Sequence, residues 1–272
     1  MKKVLFLTIG IFLLMSCEKP LIEDSAPSQS QGNLTLSILQ LEQTPVDDIQ
    51  NTTSAAFCTH LNFAVYQGGK RIKQINQTID NPAFGTATLQ LDEGTYQLVV
   101  VAHSSAKNPA MTNPQKIQFT NADGFTDTFL YEDELTVTGE SQHLPLSLRR
   151  ITSRCHFVIT DDIPANVTKV RFYYTGGSGA FDSTTGFGCV KSKQSVFYDV
   201  TDGQKQFDLY TFLHDTQGTV HLLVTAYDAG DNVVTEHDFD VPMTQNSVTN
   251  ISAPLFHTQE TGTGTITIIL TS

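Results

Sequence analysis

The chemically most capable group near the start of this chain is a thiol. Leu14-Met15-Ser16-Cys17 places a small residue directly before a cysteine, closing an apolar run over residues 4–15 that follows Lys2 and Lys3. That run is too short to cross a bilayer as a helix and has the length of a secretory h-region. A thiol at this position is the acceptor for diacylglycerol, and cleavage before it leaves a lipidated N-terminus. Residues 1–16 are therefore expected to be a signal peptide and Cys17 the lipidation site, with an ordinary signal peptide and an incidental cysteine as the plain alternative. Acyl chains rather than a spanning helix would then tether the mature chain to a membrane.

The other chemistry-bearing clusters lack the spacing that their chemistry requires. Gly176-Gly177-Ser178-Gly179-Ala180 lacks the second glycine of a nucleophile elbow, and no strand–turn–helix surrounds it. Neither Gly177-Ser178-Gly179 nor Gly186-Phe187-Gly188 continues into a phosphate-cradling loop. His237 beside Asp238, like the 8 histidines in general, shows no ligand spacing, so each reads as a surface or satisfied residue. Asp228, Asp231 and Asp240 are better explained as acidic turn residues than as a cation site. No carboxylate pair is marked out for glycoside hydrolysis. Cys58, Cys155 and Cys189 form no metal-type pairing. Cys155 alternates with Ile151, Phe157 and Ile159 and reads as a small core hydrophobe, with a Cys155–Cys189 disulfide open in an oxidising compartment. No enzyme, metal or cofactor is expected.

Charge narrows the partners. The 28 acidic residues outnumber the 16 basic ones, two of which, Lys2 and Lys3, leave with the signal. Such a surface is repelled by phosphate backbones, and the basic residues do not cluster, which argues against nucleic acid.

The elements that position these residues have a period of two. Residues 18–32 are rich in Pro, Ser and Gln and read as a tether; Lys19 with Glu23-Asp24 resembles a surface-export signal of Bacteroides-lineage lipoproteins. From Asn33 onward apolar residues alternate, as in Leu34, Leu36 and Ile38. Leu61-Asn62-Phe63-Ala64-Val65 runs into Gln67-Gly68-Gly69-Lys70, a hairpin signal, and then into Ile72–Ile79. Leu89–Leu91, the Gly94 turn and Thr95–Ala102 predict a further strand pair, with Tyr96 covering the corner. A longer loop over 103–116 and strands near 117–120, 126–131 and 134–138 complete a first unit, closed by Leu144–Leu148. Ile151–Thr160, Lys169–Tyr174, Ser195–Val200, Gln206–Phe212, Val220–Tyr227 and Val233–Val241 predict a second, with Thr175–Gly188 as a long excursion between sheets. No window offers a convincing amphipathic helix. The expectation is an all-β chain of two tandem β-sandwiches, at 33–148 and 149–260.

The tail differs. Thr261-Gly262-Thr263-Gly264 reads as a hinge, and in residues 265–272 Ile266, Ile268 and Leu270 fall on one face with threonines mostly on the other. Such a strand either zips onto its own sandwich or is meant for a neighbouring molecule.

Several weak motifs in a fixed order complete the reading. They are the lipobox at Cys17, Leu-x-Leu-x-x-Gly-x-Tyr-x-Leu at 89–98, and Leu146-x-Leu148-x-Arg150-x-x-Ser153-Arg154-x-x-Phe157-x-Ile159. Tyr174-x-Gly176 to Asp182-x-x-Thr185-Gly186, and Val241-Pro242-Met243-x-x-Asn246-x-x-Thr249-x-Ile251, follow in turn. Together, over most of 33–256, the chain resembles the fimbrial-anchor (minor fimbrillin) lipoproteins of Bacteroidia, which hold type V pili. The resemblance implies two transthyretin-like seven-stranded sandwiches, an outer-membrane lipid anchor facing the cell surface, and a stalk pilin as partner. Stalk pilins of such pili lose an N-terminal strand to an Arg-specific protease and take a neighbour's strand instead. Here the first arginine is Arg71, so the 34–41 strand is expected to stay in place while Ile266, Ile268 and Leu270 form an outgoing donor strand. A glycan-binding surface lipoprotein is one alternative, weakened by the lack of Trp although 8 Tyr and 17 Phe remain. An accessory or tip adhesin is the other, and a donor-like tail counts against a tip.

Metabolic labelling with an alkyne fatty acid tests the thiol: wild type should be marked and Cys17→Ala should not. Equal labelling of the variant would remove the lipoprotein reading.

Overall fold

The computed structural model describes residues 32–42, 58–257 and 267–271, all in strands, turns and loops. The signal, Cys17, most of the tether and Ile266 lie outside the described residues.

The first sandwich is built from β1 (Leu34–Glu42), β2 (His60–Gln67), β3 (Lys70–Thr78), β4 (Thr86–Leu89), β5 (Gly94–His103), β8 (Phe129–Val137) and β9 (Gln142–Arg150). They hydrogen-bond in the order β3-β2-β5-β8-β9-β1-β4. Strands β8 and β9 meet only at Phe129–Arg150 and Leu130–Arg149. On either side of that seam, β3-β2-β5-β8 and β9-β1-β4 enclose one core, with Leu34, Leu36, Phe63, Leu98, Val100, Leu146 and Leu148 inside. Local chemistry sets the turns. Gly68 and Gly69, at φ 57° and 75°, supply the two left-handed residues of the tightest hairpin turn between β2 and β3. The Tyr96 hydroxyl donates to Asp92 O at 2.9 Å and closes the corner before β5.

The second sandwich repeats this wiring. Its strands are β10 (Ser153–Ile159), β11 (Val167–Thr175), β13 (Gln194–Asp199), β14 (Gln206–Thr211), β15 (Gln217–Asp228), β16 (Val233–Thr244) and β17 (Val248–Ala253). One sheet runs β13-β11-β15-β16, and the other contains β14-β10-β17. In each sandwich the first strand lies parallel to the last and antiparallel to the fourth: β1 with β9 and β4, β10 with β17 and β14. Strand β18 (Thr267–Thr271) is then added antiparallel on the outer edge of β17. Among the described residues it has no counterpart in the first sandwich.

The expected strands at 126–131 and 134–138 are one continuous strand, β8. Its charged Glu132-Asp133-Glu134 stretch interrupts the apolar alternation without breaking the ladder to β5. The strand expected at 89–91 ends at Leu89; β4 lies earlier, where Thr86 to Leu89 pair with β1. Strand β17 was not evident from periodicity, because Thr249, Asn250 and Ser252 break the apolar pattern of a buried strand.

The Thr175–Gly188 excursion does more than link sheets. Its β12 (Ala180–Phe181) pairs with β7 (Lys116–Gln118) and, through it, β6 (Ala110–Asn113), making a three-stranded sheet between the sandwiches. This small sheet covers the outer face of β2 and β5, where Tyr66, Val99 and Val101 pack with Met111, Ile117, Phe119, Phe181 and Phe212. Both faces of β5 are therefore covered, which explains the unbroken Leu98–Ala102 run. Only Ile151 and Thr152, both buried, lie between β9 and β10. Asp127 holds that junction, accepting from Arg150 Nε at 2.9 Å and from Thr152 Oγ1 at 2.8 Å.

Phe181 is fully buried in this joint. Phe181→Ala should cost about 3–5 kcal/mol in urea denaturation. A loss below about 1 kcal/mol would show that the excursion lies outside the cooperative unit.

Candidate functional site

The two terminal strands are the candidate site, and they sit in opposite environments. Strand β1 is inserted between β9 and β4. Leu34 faces Gln142 on one side and Leu89 on the other, and the β9 pairing runs on to Glu42 and Arg149. Its entry is fixed by the Asn33 amide, which donates to Leu91 O at 2.7 Å while its Oδ1 accepts from Leu91 N at 3.0 Å. A Cβ on Gly32 would come within 2.4 Å of Leu89 O, so only glycine fits this approach. Leu34 and Leu36 are fully buried, each contributing about 1.5–3 kcal/mol. A register shift between Ile38 and Gln40 turns Leu39 outward.

Strand β18 hydrogen-bonds to β17 at the edge of its sheet. Its register sets Ile268 opposite Ile251 and Leu270 opposite Thr249, both inward-facing positions of β17, whereas Ile269 is 52% exposed. The chain leaving β17 is pinned first. The Asp161 carboxylate accepts the backbone N–H groups of Leu255, Phe256 and His257 at 3.0, 2.7 and 2.8 Å. Burial alone would raise the Asp161 pKa, but these three donors outweigh it and hold it below the usual carboxylate range.

The other candidate residues are accounted for by local bonding. Ser178 Oγ donates to Ala180 O at 2.5 Å and accepts from Ala180 N at 3.1 Å, so it shapes the excursion. Asp228 accepts from Gly230 N and Asn232 N at 2.8 and 2.9 Å and organises the β15–β16 turn. His237 Nε2 lies 2.8 Å from Leu255 O. Among the described residues no cluster of three metal-ligating side chains occurs. Cys155 is buried in the second core and Cys189 is exposed, and both are free thiols, so the Cys155–Cys189 disulfide is not formed; Cys58 is buried. Burial pushes the Cys155 thiol up to about 12.

One sheet face carries the exposed Phe197 and the half-buried Tyr173 and Tyr227, rings of the kind that serve a sugar. There Arg171 lies over the rings of Tyr173 and Phe197, at 4.9 and 5.6 Å, and Lys169 over those of Phe197 and Tyr227, at 5.9 and 5.7 Å. These cations compete with a sugar for the ring faces.

The first sandwich is complete with its own β1, and the second carries β18 beyond the strands that match those of the first. A family model for the fimbrillin-A associated anchor proteins Mfa1 and Mfa2 matches residues 28–269, and the chain belongs to that family of fimbria-associated proteins. No curated protein matches. Among solved structures, one from Bacteroides ovatus assigned to cell adhesion aligns at 13% identity over 87% of this chain and 95% of that one, with a TM-score of 0.50. The fimbrial anchor protein Mfa2 from Porphyromonas gingivalis aligns at 14% identity over 87% and 96%, with a TM-score of 0.47. At 13% identity the likeness to the Bacteroides ovatus structure is one of fold alone. No helix among the described residues is long and apolar enough to cross a membrane.

Sequence reasoning missed His103, whose β5 position shows only once the joint is seen. It is fully buried and stacks on His60 with ring centroids 5.1 Å apart. Its Nδ1 accepts from Ser105 N at 3.1 Å, so the proton sits on Nε2, which donates to Asn62 Oδ1 at 2.9 Å. Burial, with the neighbouring His60 adding, lowers its pKa to about 3. The unfolded chain therefore binds a proton below about pH 6.5 that the folded chain refuses, and stability falls as pH drops from there toward 3. Between pH 6 and 4 wild type should lose about 1.4 kcal/mol per pH unit more than His103→Gln. Parallel stability curves would contradict this.

Proposed function

We propose that this chain is a membrane-tethered fimbrial subunit that holds a pilus to the outer membrane through acyl chains on Cys17 and donates its C-terminal strand to the adjacent pilin. Residues 1–16 are then the removed signal, 17–32 the tether, 33–148 and 149–260 the two sandwiches, and 261–272 the hinge and donor strand.

One observation carries this reading: the second sandwich has a counterpart for every strand of the first without β18. The tail is one strand beyond that set, and it lies on the edge of its sheet. The opposite end supports the same direction of assembly. Strand β1 fills the groove between β9 and β4, and the first arginine, Arg71, comes only after it, in β3. An Arg-specific cut therefore cannot free β1 by itself. A subunit that donates a strand but keeps its own groove filled ends a polymer, and a lipid on Cys17 would place that end at the membrane.

The energetics suit strand addition. Ile266, Ile268 and Leu270 entering a partner's sheet would each contribute about 1.5–3 kcal/mol before ordering costs. Main-chain bonds along the strand add to that.

Ile268→Asp puts a charge on the donated face. It should abolish attachment of the pilin while shifting the melting temperature of the isolated chain by less than about 4 °C. If it unfolds the second sandwich instead, β18 is an ordinary core strand and the donor reading fails.

A further inference from the structure

We propose that both sandwiches are built to carry tension along the chain, because each is wired so that a pull between its ends shears a parallel strand pair. The physical basis is the position of entry and exit. In the first sandwich the chain enters at Leu34, the beginning of β1, and leaves at Arg150, the end of β9. The two strands are parallel, with Leu34 opposite Gln142 and Glu42 opposite Arg149. A pull from Asn33 and from Ile151 therefore acts on opposite ends of the pair. All rungs between Leu34 and Arg149 are loaded together, and none can open before the rest.

The second sandwich has the same geometry. Tension enters at Ser153, the beginning of β10, and leaves past Ala253, the end of β17. Arg154 lies opposite Val248 and Ile159 opposite Ala253, again a parallel pair pulled from opposite ends. Asp161 adds a second load path, tying Leu255, Phe256 and His257 to the segment just after β10. Between the sandwiches, the buried Ile151-Thr152 link and the Phe181–Phe212 cluster leave no slack to be drawn out first.

Strand β18 is loaded differently. It runs antiparallel to β17, and its end at Thr271 lies opposite Val248, beside the point where tension enters β10. A pull on that end opens the β17–β18 rungs one after another, from Thr271–Val248 to Thr267–Ser252. The tail therefore peels at low force, peeling stops at the Asp161 clamp, and the sheared pairs beneath stay closed. The topology alone gives this mechanical asymmetry; its use in holding a pilus rests on the function proposed above.

Single-molecule force spectroscopy on residues 18–272 with Cys189→Ser tests it by changing only the direction of pull. One attachment joins the N-terminus to Ser272. The other joins the N-terminus to Glu140→Cys, in the exposed turn just before Gln142, so that the β1–β9 pair is opened from one end. The end-to-end pull should show a low-force step releasing roughly 50 Å of chain. Rupture should follow at a force at least about twofold above that of the 140 attachment, since forced opening follows the unfolding barrier along the pulled direction. Equal rupture forces would overturn shear loading, and the lack of the early step would overturn peeling of β18. Neither result bears on lipidation or pilin attachment, so failure here is separable from failure of the anchor reading.

Discussion

The structure depends on one pairing made twice: the first strand of each sandwich lying parallel to its last. Parallel neighbours need a long return connection, so the strands between must travel around the whole sandwich before the last one finds its place. Strand β1 cannot be buried until β9 and β4 flank it, and β10 cannot be until β17 and β14 do. Cores that close this way are non-local, and contacts of this kind form late in folding. The same closure decides which edges remain for other chains. With β1 seated, the groove between β9 and β4 is filled, whereas β18 lies on the outer edge of β17.

Much of this was legible in the residues. The Gln67-Gly68-Gly69-Lys70 turn, the alternation of Leu34 with Leu36, the Cys155–Phe157–Ile159 face and the Tyr96 corner all stand where the pattern put them. These signals are local: a period of two, a left-handed turn, a hydroxyl within reach of Asp92. Pairing partners are not local. Nothing in Thr86–Leu89 says that it flanks β1, and the polar residues of β17 conceal a strand whose burial comes from β10. The joint was hidden for the same reason. Ala180-Phe181 is too short to show any period, and it becomes a strand only because Lys116–Gln118 lies beside it.

At the candidate site, the tail was readable as an apolar strand of uncertain destination, and its register on β17 settles where it rests in this molecule. Ile269, half exposed opposite Asn250, shows what that resting place leaves uncovered. The histidines, Ser178 and the acidic turn behave as satisfied structural groups because each has a backbone or side-chain partner within hydrogen-bond distance. His103 is the exception in consequence rather than in kind: its bonds require the neutral ring.

The Asp161 clamp fixes where the tail begins. With His257 held and β18 starting at Thr267, only residues 258–266 connect the strand to its pinned origin. A connection that short gives a strand an effective concentration in the millimolar range at its own edge. An acceptor groove present at about micromolar concentration starts at a disadvantage of roughly a thousandfold, or about 4 kcal/mol. Under the proposed function, an acceptor of β18 would have to bind it better than β17 does by at least that margin. Selectivity among acceptors would then be set by the home edge as much as by the destination, and loosening the clamp would make the chain less discriminating.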